Sequence, residues 1–534
     1  MSMHRQANRT VVGSSPIPRR RRLAFGATVA GAVLGLGLLG AEAAFRSIDR
    51  YSLKSARLVR LAAPVATIDG LTASYVDRLP IAAGIDRAWF ARSPPVVARW
   101  NDKDLEKRYW GHPGYELAAV YEWNEEYLRS VACEQPAFYE AAFKPVDEVF
   151  AYAPKGSGRT PTFRFLRSSS MPSGLVTNAY GWRGPDIALE KPKGTVRIAY
   201  VGSSTTVNPH GDPFSYPDYI REWLAAWAAS RHPDVRFEVI NAGREGVMSS
   251  TIAAIVHDEV APVDPDLVVY YEGSNQFWPA YFVKWPKDGV PPRRTVAVPA
   301  PALWTLHGHS ALVVRLEGLI DRLSRWREPD KLVLDVQWPA SLKESDPQLD
   351  HPELPLDLPR ILKDFDTMRS DLQPAGGRLA VSSFVWCVFG GMRLDPAADA
   401  ILYQYLNTTF WPFPYAHMRR MADFQNRVFT KYAKARGIDF LDVAHDYPLD
   451  PRLFGDAVHM TPLGVKLMAW TSFQRLVPIV ERRIAAGEWP KPTSLHLSRH
   501  PAFDQPTRRV VRLSTIRASC GDADKTSTSA AVGR

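Results

Sequence analysis

Cysteine is scarce in this chain, which has three among its 534 residues: Cys133, Cys387 and Cys520. None belongs to a C-x-x-C pair or to a His/Cys cluster, so the spacing of a structural zinc site is missing. The Gly-Ser-Ser-Thr-Thr stretch at 202–206 also lacks the Gly-Lys of a phosphate-binding loop. The sequence therefore predicts neither a metal nor a cofactor.

Acidic residues do not occur before Glu42, whereas Arg5, Arg9 and the four arginines at 19–22 do. These six arginines account for more than half of the formal net charge of +10. The rest of the chain is only mildly basic, with both signs mixed, which is typical of a solvated surface. We expect no nucleic-acid partner.

An apolar run over residues 23–45 follows this basic tail, and Glu42 is its only charged residue. About 20 apolar residues rising 1.5 Å each cross the ~30 Å hydrocarbon core of a bilayer. Flanking basic residues favour the cytoplasmic side. The sequence predicts a cytoplasmic tail over 1–22, a single transmembrane helix over 23–45 and a body on the periplasmic side of the inner membrane. A cleaved signal peptide is the alternative, since Ala-Glu-Ala at 41–43 resembles a cleavage site, but the run is longer than usual for one.

Composition divides the remainder into three parts. Residues 46–177 are rich in aromatic side chains and end in a Pro-, Gly- and Ser-rich linker, and we interpret them as a membrane-proximal accessory segment. Residues 178–490 are predicted to form one domain, with an insertion near 278–375. Residues 491–534 are polar and predicted to lack regular structure.

Apolar strands alternate with helices from Val196 onward. The predicted strands are VRIAYVG, VRFEVINAG, LVVYYEG, RLAVSSFVW and IDFLDV. This alternation indicates a parallel sheet covered on both faces. The predicted fold class is α/β, a three-layer sandwich around a central parallel sheet of about five strands.

Polar residues cluster where these strands end, and ligands gather at that edge of a parallel sheet. The first strand ends in Gly202, Ser203 and Ser204, the second in NAGREG (241–246), the third in EGSN (272–275), and the fifth leads to DAVH (456–459). Each block alone is a weak signal, because turns and caps use the same residues. Their order along the sheet makes coincidence improbable.

This combination fits acyl transfer through a serine. Ser204 needs an adjacent base, which His459 can be, and Asp456 can hold the imidazole in one tautomer. The main-chain N–H groups of Ser204 and Gly246 and the amide of Asn275 are candidate donors to an oxyanion. The G-x-S-x-G elbow of α/β-hydrolases fits less well, because Thr206 stands where its last glycine belongs.

The four blocks VGSSTT, NAGREG, EGSN and DAVH resemble those of the SGNH, or GDSL-type, hydrolases, over roughly residues 178–485. The lead-in from Asn178 looks like that of membrane-anchored bacterial members. The resemblance implies a flavodoxin-like sheet, Ser204 as nucleophile, Asp456 and His459 as the rest of a triad, and an oxyanion hole from Ser204, Gly246 and Asn275. Ser203 departs from the family motif, which has aspartate there.

The expected substrate is an ester, either an acylated glycan of the cell envelope or a lipid, with Trp278 and Tyr281 as candidate substrate contacts. Hydrolysis and O-acyl transfer share the same triad and stay open as alternatives. A non-catalytic, membrane-tethered binding or assembly protein that kept the fold is a third. For the cysteines, a Cys133–Cys387 pair and buried free thiols are the two alternatives.

We expect the native protein to stay with the membrane fraction after carbonate washing, because an apolar helix of this length is held by the hydrocarbon core. Extraction followed by immunoblotting and N-terminal sequencing measures this. Release of the intact chain would contradict the anchor, and a mature N-terminus near Ala44 would show a cleaved signal instead.

Overall fold

A computed structural model describes residues 19–49, 51–56, 70–98, 121–135, 148–153, 161–171, 174–208, 213–287, 309–324, 334–389, 399–491 and 509–520, with isolated positions between these ranges. Most of the predicted cytoplasmic tail, and parts of the accessory segment, linker and insertion, lie outside the described residues.

The strands and α-helices of the described residues are numbered in chain order. The strands are β1 (Tyr121–Asn124), β2 (Glu148–Tyr152), β3 (Phe163–Phe165), β4 (Thr195–Gly202), β5 (Arg236–Asn241), β6 (Leu267–Tyr271), β7 (Val283–Lys284), β8 (Asp335–Val336), β9 (Arg378–Ser382), β10 (Asp439–Leu441) and β11 (Arg509–Arg512). The helices are α1 (Arg19–Ile48), α2 (Gly70–Arg78), α3 (Glu125–Glu134), α4 (Ser204–Val207), α5 (Tyr216–Arg231), α6 (Ser249–Ile255), α7 (Ala311–Ser324), α8 (Leu358–Leu372), α9 (Ala400–Gln404), α10 (Tyr415–Arg436), α11 (Val443–Asp446), α12 (Pro462–Ala485) and α13 (Leu513–Ala518).

The central sheet has five parallel strands in the order β10-β9-β6-β4-β5. Every residue of β4 and β6 is buried, which explains the apolar runs IAYV (198–201) in β4 and LVVYY (267–271) in β6. The strand order reverses between β4 and β6, which is the flavodoxin-like arrangement with its ligand crevice at that point. The predicted α/β fold class is confirmed.

Helices cover both faces of this sheet. α5 packs against α12 on one face, and α8 packs with α6 and α10 on the other. The contact between α5 and α12 is partly aromatic, since Trp223 of α5 packs edge-on against Trp470 of α12, with ring centroids 5.1 Å apart. Because the helices cover the two faces of the sheet, the edge formed by the carboxyl ends of its strands is left open.

A second sheet, in the order β11-β2-β1-β3, lies in the accessory segment. Its outer strand β11 comes from the far end of the chain and pairs antiparallel with β2, from Arg509 opposite Ala151 to Arg512 opposite Glu148. In contrast to the expectation for residues 491–534, residues 509–518 thus form regular structure. The tail returns to complete a sheet that begins almost four hundred residues earlier in the sequence.

The disulfide of the chain joins Cys133, in α3, to Cys520, just after α13, with Cα atoms 5.4 Å apart. The Cys133–Cys387 pair considered from the sequence is therefore wrong, since Cys387 is a buried free thiol among core residues. The bond ties the returning tail to the accessory segment.

The chain divides into two compact units, Met1–Leu61 with Ala297–Asp321, and Ala62–Val296 with Arg322–Arg534. The first contains α1, whose segment Phe25–Ile48 has a mean hydropathy of 1.6 and is long enough to cross a membrane. Within this unit the Glu42 carboxylate accepts hydrogen bonds from the main-chain N–H groups of Ala311, at 3.0 Å, and Leu312, at 2.9 Å. Glu42 therefore caps the N-terminus of α7, which explains a charged residue inside an apolar run.

We expect protein isolated under oxidising conditions to contain one free thiol, because Cys133 and Cys520 are bonded and Cys387 is not. Reduction should speed hydrogen exchange of the 509–520 region, whose ordering depends on that bond, while the five-stranded sheet keeps its protection. Thiol counting under denaturing, non-reducing conditions and exchange mass spectrometry measure the two effects.

The Cys387→Ser variant serves as the control, with no free thiol and unchanged exchange over 509–520. Three free thiols in the unreduced protein, or a peptide that links Cys133 to Cys387, would contradict this pairing.

Candidate active site

Ser204 is the first residue of the short helix α4, directly after the buried strand β4. Gly202 ends that strand where no side chain fits, because a Cβ there would overlap the main-chain oxygen of Tyr271 and the hydroxyl of Thr206. The glycine lets β4 turn sharply beside β6, and Ser204 is left partly exposed at the edge of the sheet.

His459 reaches this serine from a loop that precedes α12. The loop is closed by a bridge between Phe454 and Met460. The Nε2 atom of His459 lies 2.8 Å from Oγ of Ser204, and its Nδ1 atom lies 2.7 Å from Oδ2 of Asp456. The structure thus brings Ser204 into one line of hydrogen bonds with Asp456 and with His459, which is 255 residues later in the sequence.

Asp456 is held as an acceptor by its own loop, since its Oδ1 atom accepts the main-chain N–H groups of Val458 and His459, both at 2.8 Å. Burial raises the pKa of Asp456, but the hydrogen bonds and charge of His459 outweigh this and lower it overall. Burial alone would lower the pKa of His459, yet the Asp456 hydrogen bond and the charges of Asp456, Glu245 and Glu272 raise it above 6.5. A carboxylate thus faces an imidazole that readily takes a proton.

Gly246 and Asn275 lie on the two loops that follow β5 and β6. Gly246 is exposed and has a φ of +65°, a left-handed conformation that suits glycine. The amide Nδ2 of Asn275 donates to the main-chain oxygen of Val247 at 2.8 Å, which ties the two loops together. An amide nitrogen carries two hydrogens, so the second remains available as a donor.

The accessory sheet braces the loop that carries Gly246. Arg244 donates from Nη1 to the main-chain oxygen of Phe163 in β3, at 2.5 Å, and its guanidinium also pairs with the buried Glu259. The hydroxyl of Tyr121, in β1, donates to Glu245. The accessory segment therefore has a direct part in placing a candidate oxyanion donor, which the sequence did not indicate.

Two further residues that the sequence analysis gave no role support α4. Arg183 donates from Nη1 to the main-chain oxygen of Val207 at 3.0 Å, at the end of α4. Asn241 donates from Nδ2 to the main-chain oxygen of Thr206 at 2.9 Å. Arg183 lies in the lead-in stretch and Asn241 in NAGREG, so the motifs contained both, but only the fold shows their contacts.

The aromatic side chains after Asn275 are partly open to solvent. Trp278 is 44% exposed and Tyr281 is 90% exposed. The neighbouring Phe277, in contrast, is 5% exposed and packs on Trp386 in the core. Trp278 and Tyr281 are therefore open to solvent, and their contact with a substrate stays a prediction.

Metal-ligand clusters are not present in the described part of the chain: no group of three or more His, Cys, Asp or Glu side chains there is arranged to hold an ion. The side chains that meet at the sheet edge are instead those of Ser204, His459 and Asp456.

No family model and no curated protein matches this chain. Among solved structures it is similar to the acetylxylan esterase Axe2 from Geobacillus stearothermophilus, with 14% identity over 53% of this chain and 96% of that one and a TM-score of 0.29. The acetyl xylan esterase AlAXEase has 14% identity over 52% of this chain and 97% of its own, at a TM-score of 0.29. A GDSL-like lipase from Bacteroides thetaiotaomicron has 13% identity over 55% and 92%, at 0.26. Similarity at this level assigns no substrate to this chain.

We expect the imidazole of His459 to titrate above pH 6.5 in the folded protein, because neighbouring carboxylates stabilise its cation. The neutral form, which accepts a proton, then predominates only above that pKa. Asp456→Asn should lower the pKa of His459, which NMR of histidine-labelled protein can follow.

Asp446→Asn is the matched control. It removes the carboxylate 2.9 Å from the exposed imidazole of His445 and should leave the His459 titration unchanged. A His459 pKa of 6.5 or below in the unmodified protein, or one insensitive to Asp456→Asn, would contradict the electrostatic account of the site.

Proposed function

We propose that this chain is a serine-dependent hydrolase of ester bonds that acts through Ser204, His459 and Asp456. The observation that carries the proposal is the continuous line from Ser204 Oγ to His459 Nε2, at 2.8 Å, and from His459 Nδ1 to Asp456 Oδ2, at 2.7 Å. A serine hydroxyl is a weak nucleophile, and this line supplies the base and the group that orients it.

The reaction proceeds in two halves. Ser204 Oγ attacks the ester carbonyl carbon while His459 Nε2 takes the hydroxyl proton. The tetrahedral intermediate collapses, the alkoxide leaves with the proton from His459, and an acyl-serine remains. Water then attacks this acyl group with His459 again as base, which releases the carboxylic acid and restores Ser204.

The oxyanion of each tetrahedral intermediate requires fixed donors. The main-chain N–H groups of Ser204 and Gly246 and the free amide hydrogen of Asn275 are the donors that we assign to this role. Asn275 is already oriented by its bond to Val247, so it need not reorganise when charge develops. His459 is 37% exposed, which leaves its ring accessible to a substrate from the solvent side.

The substrate class that we propose is an acylated glycan of the cell envelope. Exposed Trp278 and Tyr281 follow Asn275 closely, and flat aromatic faces that are open to water suit the stacking of sugar rings. A membrane-spanning α1 and the Cys133–Cys520 bond support a body tethered on the periplasmic side, where such glycans lie. A lipid ester, and O-acyl transfer to an acceptor hydroxyl in place of water, are outcomes that the experiment below distinguishes.

Replacing Ser204 or His459 by alanine should each lower ester turnover by about 10⁴–10⁶-fold, since triad residues act as a unit, and Asp456→Ala should cost less. Asn275→Ala should lower kcat by roughly 10²–10³-fold with little change in KM, as the loss of one oxyanion donor does. The full-length protein in detergent is assayed against acetyl, short-acyl and long-acyl esters, with and without a glycan acceptor. A fluorophosphonate probe followed by mass spectrometry identifies the reactive serine.

His445→Ala is the matched control, because it removes a histidine that also faces an aspartate but no serine, and it should keep full activity. Preference for long acyl chains would favour a lipid substrate, and acyl-glycan formation at the expense of hydrolysis would favour a transferase. A probe adduct on Ser203 would contradict the assignment of Ser204. Full activity in His459→Ala would remove the triad and leave a non-catalytic binding protein as the better account.

A further inference from the structure

A buried carboxylate that the proposed reaction does not use lies beside the nucleophile. Glu272 follows β6 directly and is 1% exposed. The parallel register places Gly202 of β4 opposite Tyr271 of β6, so the next pair along the strands is Ser203 and Glu272. Ser203 is completely buried, and its hydroxyl donates to Oε2 of Glu272.

The other oxygen of Glu272 holds the loop that carries the candidate oxyanion donor. Its Oε1 atom accepts the main-chain N–H groups of Ser274 and Asn275, both at 2.7 Å. Among the described residues, no Lys, Arg or His forms an ion pair with Glu272. A buried carboxylate satisfied only by neutral donors is costly for stability, and such groups cluster at functional sites.

The two oxygens of Glu272 therefore contact both the segment that carries Ser204 and the loop that carries Asn275. One binds the residue before Ser204, and the other binds the backbone of Asn275 itself. Displacement of the carboxylate would shift the nucleophile and the oxyanion donor relative to one another. β4 and β6 meet where the strand order reverses, which is the point at which open parallel sheets bind ligands.

We infer that Glu272 is a positioning residue of this site, and that its carboxylate, on the residue that follows β6, holds Ser203, the residue that follows β4. The inference rests on the proposed ester hydrolysis. In this role Glu272 holds Ser203 and the backbone of Asn275, and so aligns Ser204 with Asn275. It also accounts for Ser203: a second carboxylate at that position would meet Glu272 at close range.

Burial raises the pKa of Glu272, and the hydrogen bonds from Ser203, Asn275 and Ser274 oppose that rise. When ionised, the charge of Glu272 also reaches the base. His459 is faced by the carboxylates of Asp456, Glu245 and Glu272, and each of them raises its pKa. Glu272 in turn is faced by the phenols of Tyr270, Tyr271 and Tyr405. Loss of the Glu272 charge should therefore move the acid limb of the pH–rate profile to lower pH, which a purely structural residue would not do.

The test compares Glu272→Gln, Glu272→Ser, Ser203→Asp and the exchange variant Ser203→Asp/Glu272→Ser in the full-length protein. Glu272→Gln should lower kcat by about 10–100-fold with KM almost unchanged, since misplacement of reacting groups by a fraction of an ångström to 1 Å costs this much. Its acid limb should move to lower pH. Ser203→Asp should lose activity because it buries two carboxylates side by side. The exchange variant, which has the carboxylate at position 203 in place of position 272, should be at least about tenfold more active than Ser203→Asp.

Asp266→Asn is the matched control. Asp266 is fully buried just before β6, at the opposite end of the strand from Glu272, and pairs with Lys191. This variant should lower thermal stability but keep the kcat and acid limb of the folded enzyme. Stability of every variant is measured by thermal unfolding, so that lost activity is referred to folded protein.

Unchanged kcat and acid limb in Glu272→Gln, or an exchange variant no more active than either single change, would overturn the positioning role. Recovery in the exchange variant would support it, even where Glu272→Ser alone folds poorly. Ser204→Ala in the same series separates the two proposals. If Ser204→Ala retains turnover, the ester hydrolysis itself fails; if it is inactive while Glu272→Gln is normal, only the role of Glu272 fails.

Discussion

The close approach of β4 and β6 is the constraint on which the candidate site depends. Gly202 has no room for a Cβ against the main chain of Tyr271, so the strands meet without a side chain between them. This contact sets where Ser204 begins α4 and where the 272–275 loop leaves the sheet. A single backbone junction thus determines the relative positions of Ser204, Glu272 and Asn275.

Two other regions contact the segments around this junction. The 454–460 loop presents Asp456 and His459, and α12 begins directly after it. The accessory sheet holds the 241–246 loop through Arg244 and Tyr121. Because β11 and the Cys133–Cys520 bond complete that sheet, even the far end of the chain contributes to the support of the site. The accessory segment is in this respect a part of the site's scaffold and not only a spacer from the membrane.

The sequence predicted the central sheet and the polar blocks at its edge because the strands contain buried apolar runs, and the polar blocks follow them at the carboxyl ends, which share one edge of a parallel sheet. The roles of Glu272, Arg183 and Asn241 could not be read in this way, because they depend on the register between strands and on side-chain reach. The returning strand β11 and the partner of Cys133 were missed for a related reason. The two bonded cysteines are 387 residues apart in the sequence, and no local sequence pattern predicts a contact between residues so far apart. Cys387, within the apolar run VSSFVWCVF, lies in the core as its neighbours do.

The cap that Glu42 provides for α7 bears on how the mature chain is made. Processing after the Ala-Glu-Ala stretch at 41–43 would discard the carboxylate that accepts from Ala311 and Leu312. Helix α7 would then begin with open N–H groups, and Ser310, whose hydroxyl also donates to Glu42, would lose its acceptor. The apolar segment and the rest of this unit therefore share these hydrogen bonds, so that cleavage at this point would remove part of the fold together with the apolar segment.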